Sequence, residues 1–260
     1  MPSFKIATWN VNSLRVRLPH VLDWLASEQP DVLALQETKL TDPDFPFEAI
    51  QQAGYHVVAS GQKTYNGVAI ISRLEAKDII TDIPDLDDHQ RRILCATIGD
   101  IRVLDLYVPN GESVASEKYQ YKLNWLQKMD LFLKQQVKKY PKMIVLGDFN
   151  IAPEAIDVHD PIQWEGHVLF SDKERQAFQD MLAVGFKDSF REKNPSEQAY
   201  SWWDYRMNAF KRKMGMRIDH ILSSDQLIKS CTKCWIDKAP RALERPSDHT
   251  PVIAEFNLDL

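Results

Sequence analysis

The chain has 260 residues, a formal net charge of −5 and 44% hydrophobic residues. A core of that size needs no covalent staples, and no apolar stretch is long enough to span a membrane. The acidic balance argues at first against a nucleic-acid partner, although the distribution of charge matters more than its sum.

Lys5-Ile6-Ala7-Thr8-Trp9 opens a strand over residues 4–9 that runs into Asn10-Val11-Asn12. The residues before it lack the basic-then-apolar layout of a signal peptide, so an intracellular, cytoplasmic protein is expected. A helix follows Ser13, with Pro19 in its opening turn and Val21, Leu22 and Leu25 on one face. Strand 31–36 carries Val32-Leu33-Ala34-Leu35 into Gln36-Glu37-Thr38. Strands then follow at 55–60, 67–72, 93–98 and 101–108, the last two joined by a tight hairpin at Gly99-Asp100. The last of these runs into Tyr107-Val108-Pro109-Asn110.

A second helix over about 116–139 places Tyr119, Leu123, Leu126, Leu133 and Val137 on one stripe. Strand 143–147 follows, and its apolar run Met143-Ile144-Val145-Leu146 stops on Gly147-Asp148-Phe149-Asn150. A third helix covers about 173–182, and strands are expected at 217–223, 231–237 and 251–257. Ser247-Asp248-His249 sits just before the final apolar run.

The two halves echo each other, since strand, helix and strand recur at 4–36 and at 101–147, and each returning strand ends in an acidic residue. The run of strands from 55 to 108 has no intervening helix, which disfavours a single doubly wound sheet. An α/β fold is predicted, a four-layer α/β/β/α sandwich with two mixed sheets packed face to face. No linker divides it, so residues 1–260 read as one domain. Nothing such as a heptad repeat points beyond a monomer. Cys95 reads as a small core hydrophobe, and Cys231-Thr232-Lys233-Cys234 lacks the second ligand pair of a zinc site.

Strand ends on one sheet edge are neighbours in space. The pattern therefore gathers Asn10, Glu37, Tyr107, Asp148, Asn150, Asp248 and His249 into one cleft. Each has a bland reading as a cap or turn residue; the set does not. It contains no placed Ser or Cys nucleophile and no glycine-rich phosphate cradle. It does contain hard oxygen ligands suited to Mg²⁺, with Mn²⁺ as a substitute. Such a set serves metal-assisted attack of water on a phosphate ester. Between Tyr205 and Ile218 lie Arg206, Lys211, Arg212, Lys213 and Arg217 with no acidic residue, beside the aromatic Trp202-Trp203, and Arg91-Arg92 makes a second basic spot. A solvated loop explains such a run, and so does a phosphate-backbone contact surface.

Six motifs occur in the order and near the spacing of the exonuclease III family. They are Trp9-Asn10-Val11-Asn12, Gln36-Glu37-Thr38-Lys39, Tyr107-Val108-Pro109-Asn110-Gly111, Gly147-Asp148-Phe149-Asn150, Gly215-Met216-Arg217-Ile218-Asp219 and Ser247-Asp248-His249. The resemblance covers Phe4 to Phe256 and implies a deoxyribonuclease I-like fold within the endonuclease/exonuclease/phosphatase superfamily. It implies Mg²⁺-dependent cutting 5′ to abasic sites in double-stranded DNA, leaving a 3′-hydroxyl, and 3′→5′ trimming of DNA with blocked 3′ ends.

By that resemblance, Glu37 is the principal metal ligand with Asn10 close by. Asp148 orients and activates the attacking water, and Asn150 holds it and the phosphate; both can also touch the metal. His249 contacts the phosphate or the metal. Asp248 either ligates a metal or positions its neighbours. Asp219 pairs with the histidine, and Tyr107 and Asn10 bond to the scissile phosphate or leaving oxygen. Trp202, Met216 and Ile218, with Arg217 between them, line a pocket for a flipped-out sugar. Asn12, Arg91, Asn110 and Arg206 complete the substrate-binding set. A flexible Met216 makes a looser wall than the second Trp of eukaryotic relatives. Two alternatives stand beside this reading: a related enzyme acting on RNA or a small phosphate ester, and a non-catalytic nucleic-acid-binding paralogue.

Overall fold

The computed structural model describes residues 3–258. It begins with strand β1 (Phe4–Asn10), helix α1 (Leu14–Glu28) and β2 (Val32–Gln36), followed by α2 (Phe47–Gln52), β3 (His56–Ser60), β4 (Val68–Ser72), β5 (Lys77–Ile80) and β6 (Ile93–Ile98). The second half opens with β7 (Ile101–Tyr107), α3 (Glu117–Lys139) and β8 (Met143–Asp148). Next come α4 (Pro161–Trp164), α5 (Asp172–Ala183), β9 (Phe186–Asp188), α6 (Ser189–Lys193), β10 (Asp219–Ser224), β11 (Cys231–Ile236) and β12 (Val252–Phe256).

Among the described residues the strands form two six-stranded sheets, ordered β11-β12-β1-β2-β4-β3 and β5-β6-β7-β8-β10-β9. The expected repeat is real down to strand direction. β1 pairs parallel with β2, and β7 pairs parallel with β8. In both sheets every other pairing is antiparallel. Helix crossovers α1 and α3 connect the parallel pairs, as parallel neighbours require.

The inner sheet faces share one core that includes Ile6, Ala34 and Ile70 from the first sheet and Leu94, Val103 and Ile144 from the second. Separate clusters fill the outer faces, one under α1 around Trp9 and Trp24 and one under α3 and α5 around Trp125 and Phe178. Burying each such large side chain contributes about 1.5–3 kcal/mol. Polar bonds also cross between the sheets, among them Gln36 Nε2 donating to Asp105 Oδ1 at 2.7 Å and Asn10 Nδ2 to Asp148 Oδ2 at 2.9 Å.

The structure corrects the sequence reading in detail. Pro19 lies inside α1, five residues beyond its first residue Leu14, rather than in the opening turn, and Ser13 makes no side-chain cap bond. Of the expected α3 stripe Tyr119, Leu126 and Leu133 are buried, whereas Leu123 and Val137 are half-buried because the buried face is turned toward Trp125, Met129 and Phe132; Ser116 caps the helix by accepting from Tyr119 N. The short elements α2, β5, α4, β9 and α6 were not anticipated, because elements of three to six residues carry too little periodicity to register. Gly147 lies within β8, where a Cβ would meet Leu106 O at 1.9 Å and φ is +143°. Only glycine fits that close approach. Cys95, Cys231 and Cys234 are free and buried.

Candidate catalytic and metal site

Strand direction decides where the polar groups gather. The carboxyl ends of β1, β2, β7 and β8 share one edge with the amino ends of their antiparallel neighbours, as the pairings Asp219↔Asp148 and Thr8↔Val252 require. Asn10, Gln36, Tyr107 and Asp148 close their strands there, Asp219 opens β10, and His249 enters from the segment before β12.

One ligand atom from each of Glu37, Asp148 and His249 lies within 4.8 Å of the other two. Asn10 Nδ2 bridges the carboxylates, donating to Glu37 Oε1 at 2.9 Å and to Asp148 Oδ2 at 2.9 Å. The Tyr107 hydroxyl bonds to Glu37, and burial together with the Glu37 and Asp148 charges raises its pKa, so it remains a donor. Asn150 N donates to Asp148 Oδ1 at 2.9 Å. Asn150 Nδ2 donates to Val108 O and Asp148 Oδ2, and its Oδ1 accepts from Asn110 Nδ2. Asn12, Glu37, Lys39 and Asn150 all have φ between 43° and 55°, a left-handed conformation rare outside glycine. Such residues persist where surrounding structure over-determines them, and they concentrate at functional sites.

His249 Nδ1 lies 2.8 Å from Asp219 Oδ2, and its Nε2 lies 3.7 Å from Asp148 Oδ2. Asp219 is itself fixed, since Ser201 Oγ accepts from both Ile218 N and Asp219 N. Burial opposes charge on the imidazole, but Asp219 and Asp148 outweigh it and raise its pKa well above the ordinary histidine value. Burial likewise raises Asp148 above the usual carboxylate range, against the lowering by His249 and Asn10. A cation beside these carboxylates favours their ionised form.

The other expected ligands already carry hydrogen bonds. Asn10 Oδ1 accepts from Asn12 N, and Asn150 Oδ1 from Asn110 Nδ2. Asp248 Oδ1 accepts from Asn12 Nδ2 at 3.0 Å and Oδ2 from Trp202 Nε1 at 3.1 Å, so it positions both neighbours. His249 could offer a metal a lone pair only in its neutral form. The oxygen donors left facing one another are Glu37 and Asp148, and a pair of hard carboxylates fits a divalent cation that keeps several waters.

The expected pocket wall differs more. Met216 is 0% and Ile218 1% exposed, packed with Ala152, Val158, Leu169 and Phe170, while Trp202 lies partly buried against them. Their apolar atoms close on one another, which is the core reading. Arg217 is a correction: its guanidinium is buried and paired with Asp157 at 2.7 Å and Asp188 at 2.8 Å, so it faces the interior. Arg91 pairs with Asp82 on the surface, and the Arg206 side chain is 89% exposed. Neither bonds to the cluster.

Other contributors went unassigned from sequence. Lys39 pairs with Glu37 at 3.0 Å and donates to Asn12 Oδ1 at 2.6 Å. Arg92 lies over the Tyr107 ring, 4.8 Å from its centroid. Ser247 Oγ donates to Asn10 O. Lys39 and Ser247 belong to motifs already singled out, so adjacency was the available signal.

Residues 7–249 match the model of the endonuclease/exonuclease/phosphatase family. The chain is 38% identical to exodeoxyribonuclease III of Haemophilus influenzae, covering 97% of this chain and 99% of that one. Among solved structures it is similar to NExo, a 3′ phosphatase from Neisseria bound to a product DNA hairpin, with a TM-score of 0.97, 47% identity and coverage of 98% and 100% of the two chains. It is similar also to an AP endonuclease from Archaeoglobus fulgidus, with a TM-score of 0.96, 42% identity and the same coverage.

Proposed function

The chain belongs to the endonuclease/exonuclease/phosphatase family, and from that premise we propose that it is a metal-dependent DNA repair phosphodiesterase acting as a monomer. Its substrates are double-stranded DNA cut 5′ to an abasic site, leaving a 3′-hydroxyl, and DNA with blocked 3′ ends. The observation that carries the reading is the convergence of Glu37, Asp148 and His249 on one cleft.

Glu37 and Asp148 would hold a divalent cation, Mg²⁺ with Mn²⁺ as substitute, which supplies positive charge as the phosphate gains negative charge in the transition state. The His249 imidazolium, backed by Asp219, donates to a phosphate oxygen and stabilises the same charge. The Asn150 amide, held against Asp148, orients the water and the phosphate. Asp148 takes the proton from that water, and the cation keeps its carboxylate ionised to do so. Asn10 and Tyr107 fix Glu37, Asn10 also donating to Asp148, and either reaches the leaving oxygen by exchanging one of these bonds. Arg206 and its basic neighbours on the exposed 205–213 segment contact the DNA backbone.

A labelled duplex with a central abasic site, incubated with Mg²⁺ and resolved on a gel, tests this reading. Incision 5′ to the lesion or trimming from 3′ ends is expected, and chelator should abolish both. Undiminished cleavage in excess chelator contradicts it. A second reading weights the same chemistry toward 3′ ends, favoured by the closed packing of Leu169, Met216 and Ile218. Comparing rates on a nick bearing a 3′-phosphate and on the abasic duplex separates the two.

A further inference from the structure

Lys122 is the anomaly on the buried face of α3, which otherwise presents Tyr119, Trp125, Leu126, Met129, Phe132, Leu133 and Gln136. Its side chain and that of Glu174 are both 0% exposed. The ammonium has three donors, and each has a partner: Asn110 O at 3.0 Å, Asn150 O at 2.7 Å and Glu174 Oε1 at 2.5 Å. Glu174 in turn accepts from Leu169 N at 3.0 Å and from Ser171 N at 3.1 Å, the latter as part of the capping box of α5.

We propose that Lys122, neutralised by Glu174, is a positioning residue for the phosphate-cleaving centre. Its amine ties the loop after β7 at Asn110 to the loop after β8 at Asn150, and Glu174 ties both to the segment at Leu169. The two carbonyls it holds belong to the residues whose side chains bond to each other across the cleft, Asn110 Nδ2 to Asn150 Oδ1 at 3.2 Å. Asn150 sits at φ 50°, a conformation its own sequence does not enforce. The clamp fixes the backbone there, and with it the amide that faces Asp148. Stability alone is a weak reason for such a pair. A buried ion pair is often matched or bettered by apolar residues of similar volume, and an apolar residue would continue the stripe of α3.

This inference rests on the proposed phosphodiesterase activity, so native turnover is the reference. Lys122→Met, assayed below its melting temperature on the DNA substrate the native protein cuts fastest, should lose about tenfold to a hundredfold in kcat with KM little changed. Turnover is normalised to the folded fraction, because unfolded protein lowers apparent kcat while leaving KM unchanged. The second measurement is a cycle with Asn150→Ala. If Lys122 acts through Asn150, the double variant Lys122→Met/Asn150→Ala is no slower than Asn150→Ala alone. Lys122→Met combined with Glu174→Gln, which leaves no unpaired buried charge, serves for the same cycle if Lys122→Met alone does not fold. A kcat within about twofold of native for the folded Lys122 variant, or losses that multiply in the double variant, overturns the proposal. A native protein without turnover overturns the functional reading itself, and the positioning role with it.

Discussion

The rim that holds Glu37, Asp148 and His249 meets the apolar patch of Leu169, Met216 and Ile218 through Trp202, whose backbone pairs with both His249 and Met216. The two regions are neighbours built on different logic. On the rim, polar groups from separate segments bond to one another because parallel strands end on one edge. In the patch, side chains simply pack, and Leu169 holds a left-handed φ of 76° while doing so. Backbone topology sets the first region and volume sets the second. Chemistry on the rim should therefore fail by steps of orders of magnitude, whereas changes in the patch should tilt substrate preference and stability.

The largest effect expected is on the rim. Asp148→Asn keeps the shape but removes the proton acceptor, so single-turnover incision should fall about 10²–10⁴-fold. Its melting temperature should hold or rise, because burial already disfavours the charge. Full activity in that variant breaks the assignment. Asp219→Asn comes next. Losing the carboxylate that most favours its charge, His249 should release its proton at lower pH than in the native protein, which a ¹H–¹⁵N titration of the imidazole reads directly. Cleavage should fall most on the alkaline side, where the imidazolium is lost first.

The patch gives smaller effects. Met216→Ala removes a fully buried side chain and should cost about 2–5 kcal/mol in chemical unfolding. It should also raise abasic incision relative to release of a 3′-phosphate; an unchanged ratio would separate the patch from specificity. Beneath it, His220 accepts from Arg217 Nη1 on Nδ1 and so donates from Nε2 to Ile151 O at 2.8 Å. Burial and Arg217 lower its pKa to about 4. The unfolded chain binds this proton first, so stability should fall as pH drops from about 6.5 toward 4, by at most about 3 kcal/mol. His220→Gln should flatten that slope.

The same division governs what was legible in the sequence. Asn10, Glu37, Tyr107, Asp148 and His249 could be read because each follows or precedes an apolar strand, and a strand end fixes the position of its last residue to within one step. The four-layer sandwich followed from strands without intervening helices. Arg217 was misread because a basic residue between two pocket candidates gives no hint of which way its side chain turns; Asp157 and Asp188, distant in sequence, decide it. Lys122 left a signal, a lone charge on an apolar stripe, but its partners at Asn110, Asn150 and Glu174 exist only in the folded chain. Asn10 and Asn150 show the remaining limit, since sequence places an amide at the site but not the direction of its oxygen.

The central claim is that Glu37 and Asp148 hold a cation at the place where His249 and Asn150 receive the phosphate. Anomalous scattering from crystals soaked in Mn²⁺ with a cleaved DNA product tests it most directly. The account predicts one strong manganese peak at carboxylate-bonding distance from Glu37, with the product phosphate in contact with His249 and Asn150. Manganese bound elsewhere, or a phosphate seated away from both residues, contradicts it.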